Sequence, residues 1–411
     1  MNIWIFNHYA ITPATPGGTR HFDLAREMVN RGHQVTIFAS SFHHGRRHEM
    51  KLTHDEKWKV EDIHGIRFVW LRTFPYQRNN WRRVLNMVSY MLRAWRLGRK
   101  LPEVVPELKN PDVLIGSSVH LLAVLAAYWV AKHYRARFIM EVRDLWPQAI
   151  IDLGEMSEKS PVIKALQYLE QFLYRKAERI VTLGPGMAEY ITARGIGEEK
   201  IAWIPNGVDL SRFEGIESRD SSNSGFKVMY LGAHGQANGI DVLLQSAKIV
   251  QDRGREEIRF ILIGDGPEKP RLIKLAKQLG LSNTEFHNAV AKSVAPRVLQ
   301  EADAAVFILN DLSLCRFGTS SNKLYDYLAA RKPVIIAADP INNPVEEARC
   351  GLTVPPRNPE ALAETIIELS RIPKEEREAM GRRGREYVKK YHSIPVLADK
   401  LIECIENILA N

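Results

Sequence analysis

The chain is poor in cysteine and lacks long apolar runs, and each absence excludes a class of protein. Its 411 residues include three cysteines, Cys315, Cys350 and Cys404, whose wide spacing excludes a fully paired disulfide framework and a CxxC metal site. The longest apolar run, residues 121–131, is shorter than the roughly 20 residues of a membrane-crossing helix. The N-terminus has no basic segment or cleavage site and reads as a first strand. We therefore expect a protein of the reducing cytoplasm.

Short motifs of several enzyme families are also absent. The sequence contains no HExxH, no cluster of His and Cys, no GxSxG and no P-loop lysine motif. These absences argue against a metallohydrolase, a serine hydrolase and a P-loop ATPase. No GxGxxG with a downstream acidic residue is present either, so a nicotinamide cofactor is not indicated.

Positive charge is concentrated in one segment. The net charge of +9 and the pI near 9.3 imply affinity for polyanions without choosing among nucleic acid, anionic lipid and phosphorylated substrates. From Arg78 to Lys100 there are seven basic residues and no acidic one. Apolar residues recur there at helical spacing: Trp81, Leu85, Val88, Leu92 and Trp95. This pattern is typical of a helix at an anionic membrane surface, and a core helix with a solvated basic face is the alternative.

The order of elements predicts two successive α/β domains. Short runs rich in Val, Ile and Phe alternate with helical patterns over the first half, which predicts a parallel sheet with crossover helices. Turn residues at 204–209 and a polar stretch at 214–225 interrupt the alternation, which then restarts. We predict an N-terminal domain at 1–205, a C-terminal domain at 206–393 and a final helix at 394–411 that crosses back to the N-terminal domain.

The most informative segment is TSSNKLYDYLAARKPVII at 319–336. It reads as a polar loop, a short helix and a buried strand. Ser321 and Asn322 can cap the helix, whose first N–H groups and positive dipole end form an anion site. Lys323 adds a positive charge, and Asp326, about one turn further on, is placed to accept hydrogen bonds from a ribose. An ordinary capped surface helix is the alternative.

Other glycine-containing loops follow predicted strands. Gly17 and Gly18 come after the first strand of the chain, whereas Gly232 and Gly266 end strands of the second half. Ligands of open α/β sheets bind at this carboxyl edge, although glycine turns at strand ends are often purely structural. Two α/β halves that each offer such loops suggest a nucleotide-linked substrate held between them.

Three polar residues mark the carboxyl ends of strands in the first half. His120 follows one strand and begins the next helix, where it is placed to bond a neutral sugar hydroxyl or simply to cap the helix. Arg143 and Asp144 end a strand that is otherwise apolar, and such charges cost free energy unless they are paired or face a cleft.

Taken in order, these motifs resemble the family 4 glycosyltransferases over nearly the whole chain. The matching segments are residues 16–18 (PGG), 204–209 (IPNGVD), 264–267 (GDGP) and 322–327 (NKLYDY). The resemblance implies a GT-B fold, two Rossmann-like domains facing a central cleft, and transfer from a UDP-sugar with retained configuration and without a metal or other cofactor. Residues 141–147 and 321–324 resemble bacterial N-acetyl-L-fucosamine transferases of surface-polysaccharide assembly.

Two departures from the family pattern concern charge. The loop after the second domain's first strand usually carries an Arg and a Lys for the donor diphosphate, but residues 233–239 offer only His234. The usual two glutamates eight residues apart are reduced to Asp326, because position 318 is Gly. A departing diphosphate still needs positive charge, so we assign that role to Lys323 and Arg316, with His120 as the third catalytic candidate.

Our first hypothesis is a glycosyltransferase that moves a sugar from a UDP-linked donor to a glycan or polyprenyl-diphosphate-linked acceptor. Gly17, Gly18, Gly232, Gly266, Ser321, Asn322, Lys323 and Asp326 would bind the donor, whereas Arg143 and Asp144 would lie on the acceptor side. A UDP-sugar 2-epimerase and a catalytically silent sugar-nucleotide or polyanion-binding protein are the alternatives. Nucleic acid is not an expected partner. We expect a cytoplasmic protein that binds peripherally to the inner face of the membrane.

Overall fold

The computed structural model separates the chain into two compact units. The first unit comprises Met1–Thr12, Thr19–Pro205 and Leu397–Asn411, and the second comprises Pro13–Gly18 and Asn206–Val396. The structure describes residues 1–78, 80–118, 120–152, 154, 156–216, 225–310 and 317–410. No helix within these ranges combines the length and apolar content needed to cross a membrane.

The first unit is an eight-stranded sheet with helices on its connections. In chain order its elements are β1 (Asn2–Phe6), α1 (Arg20–Asn30), β2 (Gln34–Ser40), β3 (Phe42–His43), β4 (His48–Glu49), β5 (Trp58–Ile63), β6 (Ile66–Leu71), α2 (Trp81–Gly98), α3 (Leu101–Val104), β7 (Val113–Ser117), α4 (Leu121–Tyr134), β8 (Arg137–Val142), α5 (Gln148–Asp152), α6 (Pro161–Lys176), β9 (Arg179–Thr182), α7 (Met187–Thr192) and β10 (Ile201–Trp203). Strands β3 and β4 form a separate short hairpin.

The strand order of the large sheet is β10-β9-β8-β7-β1-β2-β6-β5. All neighbours are parallel except β5 and β6, which pair antiparallel. From the central strand β1 the chain runs first to β2 on one side and later to β7 on the other, so the topological switch point lies between β1 and β7. Strand β1 is buried along its length, as expected for a central strand covered on both faces.

The second unit repeats this design with six parallel strands. Its elements are β11 (Phe226–Leu231), α8 (Ile240–Asp252), β12 (Ile258–Ile263), α9 (Lys269–Gln278), β13 (Thr284–His287), α10 (Ala295–Leu299), β14 (Ala304–Ile308), α11 (Asn322–Ala329), β15 (Val334–Ala337), α12 (Pro344–Glu347), β16 (Gly351–Val354), α13 (Pro359–Arg371) and α14 (Lys374–Tyr391), and α15 (Ile394–Leu409) ends the chain. The order β13-β12-β11-β14-β15-β16 places the switch point between β11 and β14.

Two features of this architecture differ from the sequence-based expectation. The sheet of the first unit is mixed, because the edge strand β5 (WKVEDI) pairs antiparallel with β6 through a tight turn. Its half-exposed, largely polar residues give little of the apolar signal from which strands are predicted. The division into units also departs from the predicted 1–205 and 206–393, since Pro13–Gly18 and residues 394–396 group with the second unit.

Helix α11 is fixed at several points within the second unit. The hydroxyl of Tyr327 accepts from the Leu231 N–H and donates to the Leu231 carbonyl, both at 3.0 Å, which ties the helix to the end of β11. Arg385 of α14 donates to the Ala329 carbonyl at the other end of α11, at 2.8 Å. Gly381 of α14 packs so closely that an added β-carbon would lie 1.9 Å from the Arg331 carbonyl oxygen. Helix α14 therefore braces the element that carries the predicted anion site.

We expect Gly381→Ala to destabilise the protein by about 1–3 kcal/mol, because the new methyl group overlaps backbone that has little freedom to move. Helix propensity alone predicts the opposite, a gain of about 1 kcal/mol. Urea denaturation of both proteins decides between the two signs. Glu386→Ala, at an exposed position of the same helix, is the control and should change the unfolding free energy by less than about 0.5 kcal/mol. An unchanged or higher stability in Gly381→Ala would contradict the bracing role.

Candidate functional site

In the first unit two histidines meet at the topological switch point. His8 lies just beyond the end of β1, and His120 lies beyond the end of the neighbouring strand β7. The two imidazoles are joined by a hydrogen bond between His8 Nδ1 and His120 Nε2 at 2.7 Å. Because the connections of adjacent strands diverge at a switch point, this is where an open α/β sheet binds ligands. The His8–His120 pair therefore marks the candidate site of the first unit.

The hydrogen bonds of this pair fix both tautomers. His120 is the N-cap residue of α4, and its Nδ1 accepts from the Ala123 N–H at 3.2 Å. His120 Nε2 then carries the proton and donates to His8 Nδ1, which leaves the N–H of His8 on Nε2. Burial lowers the pKa of His120 to about 3 and that of His8 well below its ordinary value, so both rings are neutral.

This geometry bears on the predicted role of His120. Its side chain is only 1% exposed, and both ring nitrogens bond within the protein. The helix-capping alternative therefore describes its geometry, whereas contact with a sugar stays a prediction. His8, which the sequence did not single out, is the partner that the sheet brings to it.

A buried ionic network lies beside the histidine pair. Glu141, near the end of β8, accepts from Arg20 Nε at 2.8 Å, His21 Nε2 at 2.7 Å and Ser117 Oγ at 2.8 Å. Burial acts to raise the pKa of Glu141, but His21 and Arg20 hold it well below its ordinary value. Arg20 also donates to the carbonyls of Ile204 and Pro205.

The network positions the start of α1. Arg20 and His21 are the first two residues of that helix, directly after the loop that contains Gly17 and Gly18, which we call the glycine loop. Glu141 is therefore a paired structural carboxylate rather than a group held open for a ligand. Sequence reasoning noted the charge at this strand end but did not find its partners, because 120 residues separate His21 from Glu141.

The two predicted acceptor-side residues lie at the end of the same strand. Arg143 is half-buried, its backbone N–H donates to Ser118 Oγ at 3.2 Å, and its Nε has no partner within the described ranges. Asp144 is exposed. The two side chains form no ion pair with each other in the described part of the chain, so the paired alternative is not observed, and their acceptor role stays a prediction.

In the second unit Lys323 lies at the corresponding switch point. It is the second residue of α11, and its Nζ donates to Asn238 Oδ1 at 2.5 Å and contacts the Tyr230 hydroxyl at 3.1 Å. The rings of Tyr230 and Phe307 lie 4.8 and 5.0 Å from the same nitrogen. Burial lowers the pKa of Lys323 to about 7. Lys323 is therefore held against the loop after β11, and an anion bound beside it would favour the protonated amine, so that the loop gains a cation when it binds a negatively charged ligand.

His234 does not supply that cation itself. Its side chain is buried, and burial together with the charge of Lys269 lowers its pKa to about 4, so the ring is neutral. Gly232 and Gly266 lie on either side of it. The Gly232 N–H donates to the Ile263 carbonyl at 3.0 Å, and the backbone N–H of His234 donates to the Asp265 carbonyl at 2.9 Å. The two predicted glycine turns thus pack against each other at the carboxyl edge of the sheet.

The first glycine loop belongs to the second unit and reaches α11. A β-carbon added at Gly18 would lie 2.6 Å from Asn322 Nδ2, so the loop backbone passes directly over the helix start. Gly17 and Gly18 fall within the predicted N-terminal domain at 1–205, but their contacts group them with the second unit.

Asp326 has a partner that the sequence did not reveal. Lys292, from the segment after β13, forms an ion pair with Asp326 Oδ2. The Lys292 N–H also donates to the carbonyl of Thr15 in the glycine loop at 3.2 Å. One carboxylate oxygen is therefore occupied, and the predicted ribose contact falls to the other.

The start of α11 lacks the side-chain cap that the sequence predicted. Ser321 occupies the N-cap position, but its side chain makes no capping hydrogen bond there. The hydroxyl of Ser320 instead accepts from the Asn206 N–H at 2.7 Å. No cap from Ser321 therefore competes with an anion for the first N–H groups of the helix and its positive dipole end. Arg316, which was predicted to act with Lys323 on the diphosphate, lies outside the described residues.

Two family models match most of the chain. Residues 17–207 match the glycosyl transferase 4-like domain, and residues 225–371 match the glycosyl transferases group 1 domain.

Two relatives and one solved structure are similar to the chain. The putative colanic acid biosynthesis glycosyl transferase WcaI of Escherichia coli K12 is 22% identical over 264 residues, which cover 61% of this chain and 63% of that protein, just under two thirds of its length. The probable glycosyltransferase WbjE of Pseudomonas aeruginosa is 22% identical over 82% of this chain and 84% of its own. Anabaena HepE in complex with UDP-glucose superposes with a TM-score of 0.68 at 13% identity, over 99% of this chain and 100% of that chain. This match confirms the predicted α/β fold with two Rossmann-like domains.

Glu141→Gln should destabilise the protein by about 3–5 kcal/mol, because it leaves the buried Arg20 without a counter-charge. Glu178→Gln is the matched control, since Glu178 forms an ion pair of the same 2.8 Å length with Arg137 at the surface. Its loss should change stability by less than about 1 kcal/mol. Urea unfolding of both variants tests the difference. Equal losses of unfolding free energy would show that the buried Arg20–Glu141 pair stabilises the protein no more than the surface pair.

Proposed function

The chain belongs to the glycosyltransferase family whose 4-like and group 1 domains it contains, and from this membership we propose that it transfers a sugar from a UDP-linked donor. The proposed acceptor is a glycan or lipid-linked saccharide of cell-surface polysaccharide assembly. We further propose that the transfer retains the anomeric configuration and needs no metal ion. The bond from the anomeric carbon to the diphosphate breaks, the acceptor hydroxyl bonds to that carbon, and UDP and one proton leave.

One observation carries the donor site: Lys323 is held at the switch point of the second unit, beside the start of α11. Asn238 and Tyr230 fix its ammonium group, and the neighbouring helix N–H groups add a second source of positive potential. A diphosphate gains negative charge as it departs, so a group held in advance at this position stabilises the transition state more than the bound donor. Lys323 would take the place of the loop cations that the family pattern leads one to expect near His234.

The rest of the donor would bind around the same helix. Gly18 and Asn322 lie in contact at its start, and the free oxygen of Asp326 is the proposed acceptor for a ribose hydroxyl, with Lys292 orienting the carboxylate. HepE was crystallised with UDP-glucose, which favours UDP as the nucleotide. The names of WcaI and WbjE favour a polysaccharide product, and the motif at 141–147 favours an N-acetyl-L-fucosamine-type transfer.

The proposal is tested by UDP release from a set of UDP-sugars with glycan and lipid-linked acceptors. Wild-type protein should release UDP in the presence of its acceptor, also with EDTA, and the product should keep the anomeric configuration of the donor. Lys323→Ala should lose about 2–4 kcal/mol of transition-state stabilisation, seen mainly in kcat. Lys332→Ala is the control, because Lys332 is another half-buried lysine next to α11 that donates to the Gln300 carbonyl. Absence of binding to every UDP-sugar would refute the function, and a normal kcat in Lys323→Ala would remove its catalytic role.

We also propose that α2 places the protein at an anionic membrane surface, where a lipid-linked acceptor is found. The first turn of the helix exposes Trp81 to 62% of its surface, with Val84 and Leu85 beside it. Arg82 extends along the Trp81 ring, 5.5 Å from its centroid. Trp95, the second predicted anchor, packs against Trp129 at 5.5 Å, so the contact would be made by the first turn and not by the whole helix.

Co-sedimentation with vesicles tests this contact. Binding of the wild type should increase with the fraction of anionic lipid and decrease with salt. The double change Trp81→Ser and Arg82→Gln should weaken vesicle binding by about tenfold or more, since it removes an interfacial aromatic and a charge near the surface. Tyr168→Ser is the control, because Tyr168 is 76% exposed on α6, away from the basic segment. Equal effects of both changes, or no wild-type binding at low salt, would exclude the surface.

A further inference from the structure

Arg83 faces the candidate site of the first unit and not the solvent side of α2. It shares one helix face with Asn86 and Tyr90, at spacings of three and seven residues, and both of these are buried. Asn86 Nδ2 donates to Thr73 Oγ1 at 2.8 Å, and the Tyr90 hydroxyl donates to the Phe38 carbonyl at 2.7 Å. These bonds fix the rotation of the helix. The half-buried side chain of Arg83 therefore points inward, whereas Arg82 next to it is exposed.

A column of stacked rings lies in the electrostatic field of Arg83. Tyr90, His8, Tyr9 and His44 stack in that order, with centroid distances of 4.3, 4.4 and 4.6 Å. Burial, and then the charge of Arg83, lower the pKa of His44 to about 4 and that of His120 to about 3. Burial raises the pKa of Tyr9, although the charge of Arg83 and a hydrogen bond with that side chain act to lower it. The column is therefore neutral, and it gives the guanidinium group no counter-charge.

No carboxylate in the described part of the chain forms an ion pair with Arg83, and its Nε is buried without a partner there. Arg47 is the other charged side chain that acts on His44 and Tyr76, and it is also a cation. The same cluster holds a second unsatisfied donor, because the Nε2–H of His8 is buried and has no partner among the described residues. A half-buried cation and a free N–H at a switch point are groups that an anion would satisfy.

We propose that Arg83 binds a phosphate group of the acceptor. This inference rests on the proposed function and defines the acceptor's chemistry: its reactive sugar carries a phosphate or diphosphate, which the guanidinium group recognises through paired hydrogen bonds. His8 and His120 are positioning residues, whose neutral rings leave the charge of Arg83 available. The exposed Trp81 lies two residues before Arg83 in the same helix. A lipid attached to that phosphate would therefore extend from Arg83 towards the proposed membrane contact.

Calorimetric titration of the full chain tests the proposal with two probes, geranyl diphosphate and inorganic diphosphate. The protein is first saturated with UDP, so that the donor site does not take up the probes. Wild-type protein should bind geranyl diphosphate, and Arg83→Gln should weaken that binding by about tenfold or more. The affinity of Arg83→Lys should lie between those two, because lysine keeps the positive charge but lacks the paired N–H donors of the guanidinium group. Arg96→Gln, at an exposed position of the same helix, should change the affinity by less than about twofold.

The affinity for UDP is measured for every variant and should stay unchanged, which shows that each variant is folded. Tighter binding of geranyl diphosphate than of inorganic diphosphate assigns the phosphate to a lipid, and equal binding assigns it to a soluble phosphorylated acceptor. No probe binding by UDP-saturated wild type, or equal probe binding by wild type and Arg83→Gln, overturns the inference. Failure of UDP to bind the wild type contradicts the proposed function instead, so the two failures are distinguishable.

Discussion

Parallel strands impose one constraint on which every candidate group of this protein depends. All strands that run in one direction end at the same edge of the sheet. At the switch point, the loops that follow two adjacent strands run in opposite directions and leave a crevice between them. In the first unit this occurs between β1 and β7, where His8 and His120 meet. In the second unit it occurs between β11 and β14, where Lys323 is held over the loop that follows β11. The chemistry of each unit is thus concentrated at a place that the backbone topology selects before any side chain is considered.

Buried charges in this protein are handled in two different ways. Glu141 is surrounded by Arg20, His21 and Ser117 and is fully satisfied within the protein, which suits a group whose task is to hold α1 in place. Lys323 and Arg83 are each held by neutral neighbours and have no carboxylate partner in the described ranges. A cation surrounded by amide, hydroxyl and imidazole groups is not neutralised within the protein, so its charge remains available to a ligand. The presence or absence of a charged partner thus separates structural charges from binding charges.

Much of the fold could be read from the sequence, because most strands are buried and most helices amphipathic. The alternation of strands and helices in both halves was predicted, and the short helix and buried strand predicted within 319–336 are present as α11 and β15. Strand β5 was not predicted, since an exposed edge strand carries no apolar run. The site was read less completely. Lys323 was found from its place at a helix start, but Lys292, His8 and Arg20 were not, because their partners lie 34, 112 and 121 residues away, and no local pattern reports such pairs.

The chain passes from one unit to the other four times, after residues 12, 18, 205 and 396. Neither unit is therefore a continuous piece of the gene. A fragment that begins at Asn206 would lack the loop that packs over Asn322, and a fragment that ends at Pro205 would lack most of α15. An exchange of halves between related enzymes would have to carry residues 13–18 along with the second unit. This loop would thus move with the second unit, although it lies in the sequence among the residues of the first.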